Sequence, residues 1–355
     1  MSTQACLLDG MRVLDLSRLL PGPLATWHLQ SAGAHVTKVE APGEGDYART
    51  IGPARADAPY SSFYELLNQG KSLRVIDLKN HVAQQQLLDE IHQFDILVES
   101  FRPGVMHRLE LGWESLQRRA PRLVQVSVLG YASDSELSAA AGHDINYLAQ
   151  SGLLHEYVPA QHTAEDRLPS TARVFLPNLQ WADVLGGAMS AAFAAVCGVL
   201  HASRTGKGQR IEVAMTDAMR LAAPMATSEA LAGAPHAPPG MGLLNGGVPC
   251  YDLYACADGN WIALGALEHK FWEAFCTAVG RTDWSDQHWQ RGQHAGSADA
   301  LALRMDVQRL FGSQPRSFWL ERLAQTDCCV SAVRTLAEVM AASPLPAAAF
   351  KVLHD

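Results

Sequence analysis

A histidine and an aspartate stand side by side in the hexapeptide GHDINY, between a stretch of small residues and an apolar stretch. Asp144 has a side chain suited to cap the helix that the following residues predict. His143, just before that helix, is then free to project outward, where N–H groups of the first turn can meet a developing negative oxygen. Because neighbours at i and i+1 do not share a helix face, the two side chains need separate roles. Helix capping and proton transfer both stay open.

Asp183 is the only charged residue in a run of thirty, from Val174 to Ser203, that is rich in alanine and glycine. A carboxylate in such surroundings must be hydrogen-bonded, paired with a charge or exposed in a cavity. Loss of water raises the pKa of a carboxyl group, which suits general acid/base catalysis near neutral pH. The alternative is a buried aspartate whose hydrogen bonds are satisfied by the backbone or by Trp181.

Other charged residues stand near the ends of predicted strands. Glu268 lies where a strand gives way to a helix, a position that the helix dipole also favours for a carboxylate. Arg102 directly follows a strand, and open α/β sheets bind ligands at the carboxyl ends of their strands. Together with Lys71 and Arg108 it suits an anionic small ligand such as a phosphate, although each cation alone is equally typical of a solvated surface.

The elements that must position these residues alternate between strand and helix in the first half of the chain. This alternation predicts βαβ units and a parallel sheet. Neither GxGxxG nor a P-loop is present, so a dinucleotide or Walker-type nucleotide site is not expected. Residues 174–203 predict one or two long buried helices rather than a membrane span, because a carboxylate in mid-membrane is costly. Residues 248–268 predict a β-hairpin with its turn at ADGN. The predicted strands of the first half are residues 12–16, 35–40, 74–78, 95–99 and 123–128.

The composition is that of a globular enzyme, with 48% hydrophobic and 18% charged residues, and 355 residues suggest two lobes. The net charge of −8 argues against nucleic-acid binding. Seven cysteines without a CxxC pair are expected to be reduced thiols. Because the first residues also lack the shape of a signal peptide, a cytoplasmic location is expected. His155 and His162 have no evident third ligand, so no metal site is expected.

The chain resembles the family III CoA-transferase superfamily (CaiB/BaiF), and within it the α-methylacyl-CoA racemase branch. The matching segments run in order from about residue 8 to residue 220, and the hairpin and TDCCVSAV extend the likeness to about residue 335. The ordered segments are VLDLSRLLPGPLAT, GAHVTKVEAPGEGD, NQGKSLRVIDLK, DILVESFRPGVMHRLELGW, PRLVQVSVLGY, AGHDINYLAQSGLL, the Asp183 segment and RTGKGQRIEVAMTDA.

This resemblance implies an α/β fold in which a large domain with a Rossmann-like parallel sheet is joined to a smaller α+β domain. Residues 1–205 are expected to form the large, CoA-binding domain, to which residues from about 325 to 355 return. Residues 206–324 are expected to form a linker and the small domain. Two subunits are expected to interlock as a homodimer. The expected partner is an acyl-CoA thioester, with coenzyme A as part of the substrate and no other cofactor, nucleic acid or membrane.

The resemblance also assigns chemistry to residues. His143 and Asp183 fall where racemases carry their acid/base pair, so each is expected to act as the base for one enantiomer and as the acid for the other. Glu268 is expected to orient and stabilise the imidazolium, and the N–H of Asp144 to hold the thioester oxygen. The positions where relatives hold CoA are Leu19, Leu20, Lys71, Arg102 and Arg108.

The alternative within the superfamily is CoA transfer between carboxylic acids through an acyl-aspartyl intermediate at Asp144. Two departures bear on either reaction, because relatives often carry arginine where this chain has Ala41 and asparagine where it has Ser100. Extra length between His143 and Asp183 is expected to reshape the acyl pocket, so the acyl group itself is not implied.

Overall fold

A computed structural model describes residues 7–157, 176, 178–233 and 237–346. The chain divides into two compact units. Among the described residues, the first unit holds 7–154, 178–228 and 346, and the second holds 155–157, 176, 229–233 and 237–345.

The first unit is built on a six-stranded sheet in which all neighbouring strands are parallel. The strand order is β3-β2-β1-β4-β5-β6. This sheet confirms the predicted α/β class and the Rossmann-like core, since each expected strand of the first half overlaps an observed one. The strands are β1 (Arg12–Asp15), β2 (His35–Glu40), β3 (Ser72–Val75), β4 (Ile96–Glu99), β5 (Val124–Leu129) and β6 (Arg210–Ala214).

Helices connect these strands and cover both faces of the sheet, which explains why β5 is buried along its whole length. Val124, Val126 and Val128 of β5 pack into the cluster on one face, whereas Leu97 of β4 packs into the cluster on the other. The helices of this unit before residue 154 are α1 (Pro21–Ser31), α2 (Ser62–Asn68), α3 (His81–Glu90), α4 (Val105–Arg108), α5 (Trp113–Arg119) and α6 (Asp144–Ser151).

A long apolar helix follows, first as a π-helix (Ala182–Met189) and then as α7 (Ser190–Thr205). Its alanines pack into the core, whereas an apolar stripe on another side is exposed, with Phe193 exposed to 73%. The expectation of a buried helix therefore holds for one face only. By length and composition alone this helix is long and apolar enough to cross a membrane. The exposed stripe consists of Leu185, Met189, Phe193, Val196 and Leu200.

The second unit contains an antiparallel sheet in the order β7-β8-β9, which confirms the predicted hairpin and the smaller α+β unit. Aromatic residues of its helices, such as Trp272 and Phe275, fill its core. Two helices precede this sheet along the chain: α8 (Met215–Ala222), which belongs to the first unit, and α9 (Pro224–Leu231), within which the first unit ends at residue 228. The remaining elements are β7 (Tyr251–Ala255), β8 (Trp261–Gly265), α10 (His269–Val279), α11 (Ala298–Phe311), α12 (Arg316–Leu323), β9 (Val330–Ala332) and α13 (Leu336–Ala342).

The bounds of the two units differ from the expected domain bounds at both junctions. The large domain was expected to end at residue 205, but β6 pairs with β5 in the large sheet, so the first unit continues to residue 228. The chain was expected to return to the large domain from about residue 325, but β9 pairs with β8 in the small sheet and the chain returns to the first unit only at residue 346. Residues 347–355 lie outside the described residues.

Candidate active site

A cleft of about 940 Å³ opens in the first unit at the carboxyl ends of the parallel strands. Residues that end or directly follow β1 to β5 line it, as expected for an open α/β sheet. The segment before α6 and the π-helix complete the wall. Among the lining residues are Arg18, Leu19, Ala41, Tyr47, Lys79, Ser100, Arg102, His143, Asn146, Tyr147 and Asp183.

Asp183 is the carboxylate that the π-helix presents to this cleft. Only 9% of the residue is exposed, and its carboxylate accepts no hydrogen bond from the part of the chain that the structure describes. The indole nitrogen of Trp181 is itself without a partner among those residues, so it does not satisfy Asp183. Burial, and then the negative charge of Asp144, raise the pKa of Asp183 to about 7. At neutral pH this carboxyl group can therefore both accept and donate a proton.

Two glycines in the next turn set the depth at which the π-helix sits. A Cβ on Gly186 would lie 2.8 Å from the carbonyl oxygen of Met215, and one on Gly187 would lie 2.7 Å from the Cβ of Pro21. Both positions therefore require glycine for the helix to approach α1 and α8 closely. Asp183, one turn before these glycines, is buried at the cleft wall by the same π-helix.

Asp144 has a different task from the one expected. It was expected to cap the helix that follows it, but His143 is the N-cap residue of α6 and Asp144 is the first helical residue. Its Oδ1 accepts the backbone N–H of Asp183 at 2.9 Å, and it also bonds the N–H of Ala182. Asp144 therefore caps the start of the π-helix, and it does not line the cleft. Of these two aspartates, Asp183 is the one that lines the cleft.

The Asp144→Asn variant is expected to lower the pKa of Asp183 and to shift the acidic limb of the pH–rate profile to lower pH. Asparagine keeps an oxygen that can accept the N–H of Asp183, but it removes the negative charge that disfavours ionisation of Asp183. The measurement is kcat/KM against pH, with the exposed Asp217→Asn as the control. An unshifted limb in a folded, active variant contradicts the coupling.

His143 is exposed and lines the same cleft as Asp183, but it belongs to a different segment, the one directly before α6. The hydroxyl of Tyr147 donates a 2.6 Å hydrogen bond to the carbonyl of Gly142, and its ring packs against the same glycine. A Cβ on Gly142 would lie 2.7 Å from this ring. Tyr131 stacks edge-on against Tyr147 with ring centroids 5.3 Å apart. The backbone that carries His143 is thus fixed by aromatic packing immediately before it.

Glu268 lies in the second unit, where it is exposed at the N-cap of α10. It makes no capping hydrogen bond there, but its place at the N-cap is one that the helix dipole favours for a carboxylate, as the alternative interpretation predicts. The described residues that line the cleft all belong to the first unit. His162 and most of the extra segment between His143 and Asp183 lie outside the described residues.

Leu19 reaches the cleft through a strained backbone, whereas its neighbour Leu20 is buried and does not line it. The φ of Leu19 is +68°, a left-handed conformation that is unusual for leucine. Its N–H points at both carboxylate oxygens of Asp46, each at 3.1 Å. Asp46 is paired with Lys38 at 3.2 Å, and Lys38 also donates to the carbonyl of Ser17. A buried ion pair therefore holds the loop that places Leu19 in the cleft.

Lys71, one of the expected CoA-binding positions, lies outside the lining of this cleft. Its ammonium lies 3.1 Å from Asp15 and donates to Thr26 and to the carbonyl of Pro23, each at 2.8 Å. Only 1% of its side chain is exposed. Burial alone raises the pKa of Asp15, but Lys71, Lys38 and two hydroxyl groups lower it to about 2. Lys71 is the buried counter-ion of Asp15.

The cations at the rim of the cleft are Arg18, Lys79 and Arg102, all exposed. Of the predicted cations only Arg102 lines the cleft, because Arg108 ends helix α4 and lies outside the lining. Sequence reasoning missed Arg18 and Lys79. Both follow the carboxyl end of a strand, so the rule that selected Arg102 also identifies them.

Comparison with known proteins places these features in a family. The chain matches the family described as CoA-transferase family III over residues 8–352. It is 31% identical to the alpha-methylacyl-CoA racemase of Homo sapiens over 94% of this chain and 79% of that protein. It is 28% identical to the acetyl-CoA:oxalate CoA-transferase of Acetobacter aceti over 93% of this chain and 81% of that protein. The crystal structure of Rv3272 from M. tuberculosis superposes with a TM-score of 0.77 at 26% identity, covering 96% of this chain and 88% of that one. The chain therefore belongs to CoA-transferase family III.

Proposed function

We propose that this protein racemises 2-methyl-branched acyl-CoA thioesters by removing the α-proton and returning one to the opposite face. The observation that carries the proposal is that His143 and Asp183 line one cleft from separate segments, the carboxyl group having a pKa of about 7. The α-proton of a thioester is very weakly acidic, so its removal and replacement need a positioned base and a positioned acid. The similarity to the racemase of Homo sapiens supports it.

In this mechanism, one group accepts the α-proton while the other, on the opposite face, donates its own. For one enantiomer His143 is the base and Asp183 the acid, and for the other enantiomer the roles reverse. Although Asp144 is not among the lining residues, it lies in sequence between the cleft-lining His143 and Asn146, and by family resemblance its N–H keeps the proposed role of holding the thioester oxygen. Glu268 keeps its proposed role, by family resemblance, of orienting and stabilising the imidazolium. The reaction requires no metal or redox cofactor, and coenzyme A enters as part of the substrate.

The CoA moiety is proposed to lie along the rim of the cleft, with Arg18, Lys79 and Arg102 as partners for its phosphates. Leu19 is proposed to contact the apolar part near the thioester. Ala41 and Ser100 both line this cleft, so the arginine and asparagine that relatives often carry there are missing from the site itself. We propose that Arg18, exposed on the neighbouring strand end, supplies the positive charge that Ala41 lacks.

The experiment is incubation of one 2-methylacyl-CoA enantiomer in D2O, with branched and arylpropionyl thioesters as a panel. We expect α-deuterium uptake together with formation of the other enantiomer. The absence of uptake across the panel contradicts the proposal.

CoA transfer between carboxylic acids is the second candidate, favoured by the unpaired Asp183 carboxylate in the cleft and by the similarity to the Acetobacter aceti transferase. For this reaction we propose Asp183 rather than Asp144 as the nucleophile, because Asp144 is bonded to backbone N–H groups outside the lining. Incubation with an acyl-CoA, a free acid and hydroxylamine distinguishes the two. Transfer predicts a hydroxamate at Asp183, whereas racemisation predicts an unmodified enzyme.

We also propose that the protein is a homodimer, interlocked as the family resemblance implies. The exposed stripe on the π-helix and α7 supports a partner surface, because five apolar side chains follow one another at spacings of three and four residues. Light scattering measures the molar mass of the wild type and of the Phe193→Glu variant. We expect a dimer for the wild type and a weakened dimer for the variant, whose new charge lies in the stripe. A monomeric wild type contradicts it.

A further inference from the structure

The carboxamide of Asn146 is held in one orientation beside the proposed proton carriers. Its Oδ1 accepts the backbone N–H of His143 at 3.1 Å, as the third residue of α6 bonding back to the N-cap. Since His143 offers a donor, the atom that faces it must be the oxygen. The Nδ2 group is therefore the end directed away from the helix start, and its orientation is set by the backbone of the residue that carries the imidazole.

The Nδ2 group of Asn146 makes no hydrogen bond to any residue that the structure describes, and Asn146 lines the cleft together with His143 and Asp183. Asn146 is exposed, so its Nδ2 group is a neutral donor available to a ligand bound in this cleft. His143 and Asp183 are occupied with the α-proton in the proposed reaction. The oxygen of the thioester can use a second donor beside the proposed N–H of Asp144, because the charge of the enolate develops on it.

We propose that Asn146 Nδ2 donates a hydrogen bond to the thioester oxygen of the bound acyl-CoA. This inference rests on the proposed function and adds a substrate-contacting residue to it. When the base takes the α-proton, the C–H electron pair forms the carbon–carbon double bond and the carbonyl π pair moves to oxygen. The N–H of Asn146 stabilises that oxygen and remains on nitrogen. Reprotonation at the opposite face returns both electron pairs.

Two variants separate this role from a purely structural one. Asn146→Asp keeps an oxygen for the N–H of His143, and a carboxylate in the first turn of a helix is favourable, but the donor is lost. Asn146→Ala removes the donor without adding charge. We expect both variants to lower kcat for α-deuterium exchange by about 10²-fold with KM nearly unchanged, the usual effect of deleting one oxyanion donor. A structural role predicts instead that Asn146→Asp keeps wild-type kcat.

A readout that needs no turnover is the infrared spectrum of an acyl-CoA labelled with ¹³C at the thioester carbonyl. We expect the carbonyl band to move to lower wavenumber on binding to the wild type and to move less in both variants. The inference is overturned if the carbonyl band of the bound thioester lies at the same wavenumber in the wild type and the variants, or if either variant keeps the wild-type kcat. Both outcomes leave the proposed function intact. A wild type that binds the thioester but exchanges no α-proton overturns the proposed function. In that case the position of the carbonyl band alone shows whether Asn146 donates a hydrogen bond to the thioester oxygen. A wild type that does not bind the thioester overturns both.

Discussion

Replacing Asp183 with asparagine is expected to lower the rate of racemisation by about 10³-fold, within the range that a positioned acid or base contributes. The substitution keeps the size of the side chain but removes the group that exchanges a proton with the substrate. The measurement is the interconversion of enantiomers, with the exposed Asp134→Asn as the control of equal chemistry. Retention of wild-type activity by Asp183→Asn contradicts the assignment.

The same variant is expected to be more stable than the wild type above neutral pH. The pKa of Asp183 is raised from 3.8 to about 7, so the folded wild type binds a proton that the unfolded chain has released, and its stability falls as pH rises through this window. The penalty is on the order of 4 kcal/mol at pH 8. Asparagine does not ionise, so the gain is full at pH 8 and vanishes near pH 4. Urea unfolding of both proteins at pH 4 and pH 8 measures the difference in their free energies of unfolding. If the variant and the wild type are equally stable at pH 8, the charge of Asp183 is not buried.

Replacing Lys71 with methionine is expected to lower the free energy of unfolding by about 3–5 kcal/mol, the usual cost of leaving one member of a buried ion pair alone. Asp15 is fully buried and depends on this ammonium for its charge. The measurement is urea unfolding at neutral pH.

The matched control is Lys79→Met, which removes an exposed cation that lines the cleft. It is expected to leave the stability nearly unchanged and to raise KM for the acyl-CoA. The reverse pattern, a stable Lys71→Met with weakened binding of CoA, would falsify the reassignment and restore the sequence-based prediction.

Local patterns account for what could be predicted of the fold. The apolar run at Val124–Leu129 and the similar runs before it in the chain predict buried parallel strands. The carboxyl ends of these strands then mark the edge of the sheet at which a ligand binds. Asp183 is recognisable because a charge within a long apolar run demands an explanation in any fold. Arg102 is recognisable because it follows a strand directly.

Long-range contacts account for what was missed. The partner of the Asp144 carboxylate is the backbone of Asp183, 39 residues along the chain, so no helix-capping rule applied to GHDINY identifies it. Lys71 and Lys79 both flank β3, and only tertiary packing shows that the first is enclosed by Asp15 and the second reaches the cleft. The left-handed backbone of Leu19 depends on the Asp46 carboxylate, which lies 27 residues away.

The central claim is that His143 and Asp183 serve opposite faces of one substrate. The most direct test is α-proton exchange in D2O measured separately from each pure enantiomer of a 2-methylacyl-CoA, with wild type, His143→Asn and Asp183→Asn. The account predicts that the wild type exchanges both enantiomers with inversion. Each variant exchanges only the enantiomer whose base it retains, and the two variants retain opposite ones. Loss of exchange from the same enantiomer in both variants, or full exchange from both enantiomers in either, contradicts the two-base account.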